Sequence, residues 1–272
     1  MMSNPKISVL MPAYNAEKYI AEAIESILNQ TFKDFEFIII DDCSTDGTYS
    51  IIQRYAKRDD RMIVLKNEKN LKICETLNKG IEIAKGKYIA RMDADDWSYP
   101  DRLEKQFKFM EENPEIGISG GTMEVCDEKM KVLNQRKYNL SDEEIRKKIF
   151  RYSPFSHPLV IIKKDILDKA SFYDHDLVYA EDYDLYFRIG NFSKFGNLKD
   201  VILKYRMLEN NSTSEKLKEM ELKTLKIRKK AVKEYGYRMS LIDKIYWVLQ
   251  YLSIFIFPPK IKIWLFNKLR NN

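Results

Sequence analysis

The stretch "YIARMDADDWSYPDRL" (residues 88–103) runs from mostly apolar residues directly into three carboxylates, Asp93, Asp95 and Asp96. Carboxylates this close repel one another, and each loses hydration when it is partly buried. One interpretation is a polar turn after a β-strand. The other is a cation bound between the carboxylates, and these residues alone do not distinguish the two.

Three further apolar runs precede this one and alternate with helical patterns. Each run is short and rich in β-forming residues, which predicts a buried strand. Strands that alternate with helices of about a dozen residues predict a parallel sheet with right-handed crossovers. The four predicted strands are "KISVLMP" (6–12), "FEFIIIDD" (35–42), "MIVL" (62–65) and "KYIARM" (87–92).

The second half of the chain has a less regular pattern. Asn15 and Ser44 are expected to cap helices in the first half, and Ser141 with Glu144 matches a capping box in the second. The later predicted elements are strands at 116–127, 131–140, 156–164 and 201–208 and a helix starting at 181.

Polar signatures follow three of the predicted strands. They are "PAYN" (12–15), "DDCSTDGT" (41–48) and "DADD" (93–96). In an open parallel sheet, ligands bind at the carboxyl ends of the strands. If these strands are neighbours, the three loops face one crevice, which favours a binding site over three unrelated turns.

The composition narrows the class of protein. Of 272 residues, 44% are hydrophobic and 12% aromatic, which indicates a folded chain. Cys43, Cys74 and Cys126 form no CxxC pair, which argues for a reducing compartment and against structural zinc or a disulfide framework. His157 and His175 are the only histidines, so a His-rich metal site is excluded. The start shows no basic region followed by a long apolar one, so no secretory signal is expected.

The positive charge is concentrated in the last part of the chain. Residues 216–272 carry 14 Lys and Arg against 4 Asp and Glu, a balance of +10, whereas the whole chain carries +6. The preceding residues therefore sum to −4, which speaks against a nucleic-acid-binding core. We place a boundary near residue 212, giving a region 1–212 and a helical tail 213–272.

The tail combines apolar, aromatic and basic residues. Ile245–Phe257 is almost wholly apolar, but it is shorter than the roughly 20 residues that a spanning helix needs. This pattern predicts an element lying on the surface of an anionic membrane. A helix pair packed on the core and a dimer contact remain alternatives. The residues concerned are Tyr246, Trp247, Tyr251 and Trp264, with Lys260, Lys262, Lys268 and Arg270.

An ordered set of motifs between residues 6 and 210 resembles the inverting glycosyltransferases of family 2. The resemblance implies an α/β fold of the GT-A type, with a single Rossmann-like, mostly parallel sheet flanked by helices and a C-terminal helical appendage. The catalytic domain would be residues 1–212. The motifs are Pro12-Ala13-Tyr14-Asn15, Gln30-Thr31, Asp41-Asp42, Ser44-Thr45-Asp46-Gly47-Thr48, Asn78-Lys79-Gly80, Asp93-Ala94-Asp95-Asp96, Pro100-Asp101-Arg102 and Glu181-Asp182.

The same resemblance assigns a donor site. Asp42 would accept a hydrogen bond from the uracil N3–H, which favours uridine nucleotides. Asp93 would reach the ribose or a metal-bound water, and Asp95 would hold Mn²⁺ or Mg²⁺ against the diphosphate. The divalent cation would relieve the repulsion among the carboxylates. The implied nucleotide-binding residues are Pro12, Ala13, Tyr14, Asn15, Asp42, Asp93, Ala94 and Asp95. Lys72, where the chain departs from the family, is a further candidate for contact with the nucleotide or phosphate, or is merely exposed.

The resemblance also assigns the chemistry. Asp182 would act as the general base that inversion requires, and Glu181 would position the acceptor or orient its loop. Asp184 is expected to be an ordinary residue of the first helical turn, favoured there by the helix dipole. Asp96 and Asp101 are expected to organise the turn and to cap the next helix.

Further residues have less specific expectations. His157 is a candidate for the donor sugar or a structural histidine, and Arg206 is a candidate for the diphosphate or an ordinary strand-end cation. The chain departs from the family pattern at Lys72, where relatives often have glycine, and at Leu208, where they often have histidine.

The predicted activity is transfer of one sugar from a UDP-sugar to a hydroxyl of a glycan or lipid-linked acceptor. We expect a cytoplasmic protein that is peripheral on the cytoplasmic face of the membrane. A polyprenyl-phosphate sugar synthase and a non-catalytic membrane scaffold are the alternatives. A sugar-1-phosphate nucleotidyltransferase is disfavoured because such an enzyme needs a glycine-rich triphosphate-binding loop after its first strand. The corresponding stretch here, "PAYNAEKYI" (12–20), contains no glycine. No pattern specifies the donor sugar or the oligomeric state.

Overall fold

The computed structural model describes residues 4–208, 212–258 and 262, with the side chains of residues 212–216 excepted. The strands are β1 (Ile7–Ala13), β2 (Phe35–Asp41), β3 (Met62–Lys66), β4 (Tyr88–Arg91), β5 (Trp97–Ser98), β6 (Ile116–Cys126), β7 (Val132–Arg136), β8 (Ile161–Lys163) and β9 (Lys194–Arg206). The helices are α1 (Ile20–Leu28), α2 (Thr48–Ala56), α3 (Lys72–Ile83), α4 (Arg102–Glu112), α5 (Asp142–Lys148), α6 (Lys164–Lys169), α7 (Glu181–Ile189), α8 (Ser212–Glu234) and α9 (Leu241–Ile256).

All of these strands join one sheet. β3, β2, β1 and β4 lie side by side in that order and run parallel, which confirms the sheet predicted for the first half. Beyond β4, β8 is antiparallel to its neighbours β4 and β6, and β9 is parallel to β6. β5 pairs with β9, and β7 pairs with β6, both antiparallel. The second half therefore extends the sheet with mixed pairing.

Both faces of the parallel strands are buried. Successive side chains of a strand point to opposite faces of the sheet. Leu10 packs with α3 on one face, whereas Val9 and Met11 pack with α1 on the other. Burial on both faces explains why these strands are continuous apolar runs with no polar alternation.

The helix caps predicted for Asn15 and Ser44 are wrong. α1 and α2 begin at Ile20 and Thr48, and neither has a side-chain cap. Asn15 instead accepts a hydrogen bond at Oδ1 from the Thr45 N–H (2.9 Å), and its own N–H donates to Ser44 Oγ (3.0 Å). These residues tie the loop after β1 to the loop after β2. The capping box of Ser141 and Glu144 is confirmed.

Two predicted strands have different bounds. Residues 157–159 form a 3₁₀ turn, so only Ile161–Lys163 of the predicted strand 156–164 pair in the sheet. Pro158 suits such a turn because it has no backbone N–H to donate to a strand. The last strand starts earlier than predicted, at Lys194, and ends at Arg206.

The two helices of the tail stack on the rest of the molecule through α7. α8 packs against α7, and α9 packs against α8. Ile227 and Ala231 of α8 are fully buried in the core that also contains α7. The packed helix pair, one of the alternatives to membrane association for the tail, is therefore present, and α8 starts at Ser212.

Among the residues that the structure describes, no helix is both long and apolar enough to cross a membrane. Tyr246, Trp247 and Tyr251 of the predicted interfacial set lie on α9. Trp264, Lys260, Lys268 and Arg270 lie outside the described residues.

Candidate active site

The three polar strand ends meet at one edge of the sheet, as predicted. β1 lies between β2 and β4, so the loops that follow these strands are neighbours. The Asp42 N–H donates to the Ala13 carbonyl (2.8 Å), which continues the β1–β2 pairing into the loops. Tyr14, which follows directly, is half exposed at this edge, whereas Ala13 is buried. The edge therefore offers an exposed aromatic ring beside buried backbone.

Asp42 holds the loop that follows β3. Its carboxylate accepts hydrogen bonds from Asn67 Nδ2 (2.8 Å) and from the N–H groups of Leu71 (2.8 Å) and Lys72 (3.0 Å). A carboxylate has about four acceptor positions, so roughly one remains for a ligand. Lys72 has a φ of 67°, in the left-handed region that favours glycine. Glycine, the residue that the family pattern leads us to expect here, would adopt this conformation more easily, and the Lys72 side chain is exposed.

Asp93, Asp95 and Asp96 form the acid cluster predicted from the sequence. They each offer a carboxylate oxygen, and these oxygens lie within 4.8 Å of one another. Burial and the neighbouring Asp93 raise the pKa of Asp95 to about 6. Asp96 is fully buried, accepts a hydrogen bond from the Arg206 N–H (3.0 Å) and so organises the turn. Its Oδ2 is buried and has no hydrogen-bond partner in the described part of the chain.

These three carboxylates fit a divalent cation. Mg²⁺ and Mn²⁺ prefer oxygen ligands. Burial and the neighbouring Asp93 and Asp95 raise the pKa of Asp96 well above its usual range, and its buried Oδ2 has no hydrogen-bond partner in the described chain. The Asp93 side chain is 27% exposed and is therefore open to a ligand from the crevice. Asp93 and Asp95 would be the ligands, with Asp96 behind them.

Arg206 lies behind the acid cluster and not in the crevice. Its Nε donates to the Asp95 carbonyl (2.8 Å), and its two terminal nitrogens contact the Glu128 carbonyl and the Glu22 carboxylate (2.5 Å). The residue is 4% exposed. The guanidinium of Arg206 therefore holds the turn, which agrees with the second of its two expected roles, an ordinary strand-end cation.

Glu181 and Asp182 start α7, as predicted, and both lie in a largely buried setting. Burial raises the pKa of Asp182 to about 6, and burial together with Asp182 raises that of Glu181 to about 7. Asp182 Oδ1 accepts a hydrogen bond from the Tyr183 N–H (2.7 Å). Glu181 Oε2 is buried without a partner in the described region. Carboxylates with a raised pKa are suited to proton transfer near neutral pH.

Asp184, predicted to be an ordinary first-turn residue, is instead a fully buried anchor. It accepts hydrogen bonds from Arg188 Nε (2.8 Å) and the Tyr235 hydroxyl (3.0 Å), and it pairs with Lys230 (3.2 Å). These partners join α7 to α8 and the residues after it. The expectation missed them because they come from a distant part of the chain.

Arg91 is a central residue that the sequence analysis missed. It is 3% exposed, ends β4 and forms an ion pair with Asp93. Its positive charge lowers the pKa of both Asp95 and Asp182, so one cation serves both acid clusters. Its Nε and Nη1 are buried without hydrogen-bond partners among the described residues. The available signal was a cation at the end of an otherwise apolar strand.

His157 and Tyr173 lie beside Arg91. His157 Nε2 is 2.8 Å from the Tyr173 hydroxyl, and burial and the Arg91 charge hold the pKa of His157 well below its usual range. His157 is therefore neutral. Asn78 exchanges two hydrogen bonds with the Tyr173 backbone (2.9 and 3.0 Å), which gives a role to the Asn78-Lys79-Gly80 motif.

A search against family models finds that residues 8–213 match the model described as Glycosyl transferase family 2. An uncharacterized glycosyltransferase of Methanocaldococcus jannaschii is 41% identical over 227 residues, covering 81% of this chain and 77% of the relative. The O-antigen biosynthesis glycosyltransferase WbnJ of Escherichia coli is 35% identical over 213 residues, covering 76% of this chain and 81% of the relative.

Solved structures show the same fold. S. aureus TarS in complex with UDP aligns with a TM-score of 0.65 at 23% identity, over 82% of this chain and 65% of that chain. The mannosyltransferase PcManGT of Pyrobaculum calidifontis, solved with GDP-Man and Mn²⁺, aligns with a TM-score of 0.68 at 17% identity, over 93% and 70%. This chain belongs to glycosyl transferase family 2 and is a glycosyltransferase with the GT-A fold.

Proposed function

Starting from this membership, we propose that the chain transfers a single sugar, with inversion, from a UDP-sugar to a hydroxyl of a glycan or lipid-linked acceptor. The observation that carries the proposal is the placement of Asp93, Asp95 and Asp182 around one buried cation, Arg91. A charge-binding cluster and a proton-accepting residue are the two parts that such a transfer needs. TarS structures with UDP and with UDP-GlcNAc support a UDP-sugar donor.

The donor would bind across the ends of β1, β2 and β4. The exposed ring of Tyr14 and the backbone of Pro12, Ala13 and Asn15 would hold the nucleoside, and the remaining acceptor position of Asp42 would take the uracil N3–H. Asp93 and Asp95 would bind Mn²⁺ or Mg²⁺. That cation, when bound, supplies positive charge for the diphosphate that departs.

Asp182 would take the proton of the acceptor. As the acceptor oxygen forms a bond to the anomeric carbon, the bond from that carbon to the diphosphate oxygen breaks, and its electron pair leaves with UDP. The acceptor hydroxyl becomes more acidic as its bond to carbon forms, so a carboxylate with a pKa of about 6 suffices as the base. The proton ends on Asp182.

Neighbouring residues would position this base. Glu181 precedes it in a buried setting and would orient the acceptor. His157 is neutral and hydrogen-bonded to Tyr173, so it would contribute shape and a hydrogen bond near the donor sugar, without charge.

The acceptor is proposed to be a growing glycan, carried on a lipid at the cytoplasmic face of the membrane. WbnJ is named for O-antigen biosynthesis, and a second relative, AmsE of Erwinia amylovora, is named for amylovoran biosynthesis. Both names belong to polysaccharide assembly, which supports an acceptor of this class.

The test is thermal unfolding of the full chain with UDP, GDP, dTDP or CDP, each with and without Mn²⁺. Ligand at 100 times its dissociation constant stabilises by about 2.7 kcal/mol, which such a measurement resolves. A shift for UDP that grows with Mn²⁺ is the expected result. A shift for another nucleotide alone would overturn the role of Asp42, and the absence of any shift would overturn the donor site.

A further inference from the structure

α9 has its polarity reversed relative to an ordinary surface helix. The residues that face the protein include Asp243 and Gln250, whereas the outer side is apolar. Surface helices of globular proteins normally bury their apolar stripe and expose the polar one. The exposed apolar residues of α9 and the position after it are Leu241, Ile242, Ile245, Tyr246, Val248, Leu249, Tyr251, Leu252, Phe255, Ile256 and Phe257, which we call the outer face.

Hydrogen bonds on the inner side fix this orientation. Asp243, 5% exposed, pairs with Arg151 Nε (2.8 Å), and Gln250 Oε1 accepts from Arg228 Nη1 (2.6 Å). Trp247 donates from its indole N–H to the Leu225 carbonyl (3.2 Å). Rotating α9 to bury its outer face would break these hydrogen bonds and leave buried charges without partners. The fold therefore keeps the outer face exposed.

Lysines surround an apolar groove at one side of the outer face. The groove has a volume of about 290 Å³ and is lined by Val232, Met239, Trp247 and Val248, with Lys229, Lys233 and Lys244 at its rim. Lys229 Nζ lies 4.5 Å from the centre of the Trp247 ring. Apolar walls beneath cationic groups match the chemistry of an acyl chain beneath an anionic headgroup.

We propose that the outer face docks on an anionic lipid bilayer. The charge of this region argues for the bilayer over a second copy of the chain. Residues 216–272 carry 14 Lys and Arg against 4 Asp and Glu. Two copies facing each other would bring like charges together, whereas an anionic leaflet attracts them. Tyr246, Trp247 and Tyr251 are of the residue types that concentrate at membrane interfaces.

Docking in this way would hold the base near the lipid. α8 lies between α9 and α7, and its buried Arg228 donates to the Tyr183 hydroxyl (3.1 Å), one residue after Asp182. A lipid-linked acceptor would then reach the crevice from the surface that α9 contacts. This last step rests on the proposed function, whereas the docking itself does not.

The test is co-sedimentation of the full chain with vesicles of phosphatidylcholine alone or with about 30% phosphatidylglycerol, without nucleotide. Binding to the anionic vesicles, falling at high salt, is the expected result. Leu249→Asp should weaken it by roughly tenfold or more, because a charge enters the contact. Leu133→Asp is the matched control: Leu133, on β7, is 55% exposed and Leu249 is 60% exposed. It should leave binding unchanged.

A separate triple variant tests how much the lysines at the groove contribute to membrane binding. Lys229→Gln, Lys233→Gln and Lys244→Gln combined should lower binding to anionic vesicles by roughly tenfold or more. Equal binding to both vesicle types, or to neither, would overturn the proposal. The proposal would also be overturned if light scattering showed a dimer that Leu249→Asp dissociates and the wild-type chain did not bind vesicles. The UDP-dependent thermal shift of the same samples is measured separately, so a failed donor site and a failed membrane contact are distinguishable.

Discussion

The molecule contains two groups of neighbouring acids, and they differ in their surroundings. Asp93, Asp95 and Asp96 lie in a turn between two arginines, with Arg91 paired to Asp93 and Arg206 bonded to the turn from behind. Glu181 and Asp182 start a helix, and no ion pair to either occurs in the described chain. Burial raises the pKa of Asp95 in the first group and of Glu181 and Asp182 in the second.

This difference indicates two kinds of chemistry. A turn braced by fixed cations keeps several carboxylate oxygens within 4.8 Å, which is the arrangement that a bound metal ion needs. A helix start without ion pairs leaves a carboxylate free to gain and lose a proton. Arg91 connects the groups, since its charge lowers the pKa of Asp95 and Asp182 alike.

The largest expected effect is that of Asp182→Asn, which removes the proton acceptor and keeps the side-chain shape. We expect kcat to fall by roughly a thousandfold, within the range typical of a lost general base. The UDP-dependent thermal shift should not change, because Asp182 is not a donor ligand in the proposal. Initial rates at saturating donor check this. Retained activity would instead indicate a polyprenyl-phosphate acceptor, since a lipid phosphate needs no strong base.

A somewhat smaller effect is expected for Asp95→Asn, which removes a charge from the other group. UDP affinity in the presence of Mn²⁺ should fall by roughly a hundredfold, because metal ions contribute several kcal/mol at such sites. Affinity without Mn²⁺ should change little. Calorimetric titration measures both.

The matched control for this titration is Asp101→Asn. Asp101 lies at the start of α4, where it makes no side-chain cap and pairs with Lys105 (2.8 Å), so its predicted capping role was wrong. Its replacement should leave UDP affinity unchanged. Equal losses for both variants would mean that the loss in Asp95→Asn does not come from metal binding by Asp95.

The smallest expected effect is the change of kcat with pH. Because the pKa of Asp182 is raised to about 6, the base is protonated and inactive below that pH and ionised above it. The kcat should therefore fall about tenfold between pH 7 and pH 5. Arg91→Gln should move this fall to higher pH, because Arg91 lowers the pKa of Asp182. A kcat–pH profile that does not move in Arg91→Gln would show that Arg91 does not act on both groups.

The parallel part of the sheet and the position of the acids could be predicted from the sequence. Local apolar runs such as residues 35–42 are enough to identify strands that are buried on both faces. The sequence left open whether these strands are neighbours, and the structure places β1 between β2 and β4, which brings the three polar strand ends together.

Side-chain partners across long sequence distances could not be predicted. Asn15 and Ser44 have the residue types of helix caps, but they bond to each other's loops, and nothing local distinguishes the two uses. Asp184 and Arg206 find partners up to 184 residues away. The polar inner side of α9 likewise depends on Arg151 and Arg228, which reach it from other elements.

The packing of α8 has a consequence for where this protein ends as a folding unit. The family match stops at residue 213, yet Ile227 and Ala231 are fully buried in the core that contains α7. Shortening the chain to the matched residues would uncover the apolar side of α7, the helix that begins with Glu181 and Asp182. The part of the chain that matches the family model is thus shorter than the smallest part that unfolds cooperatively as one unit.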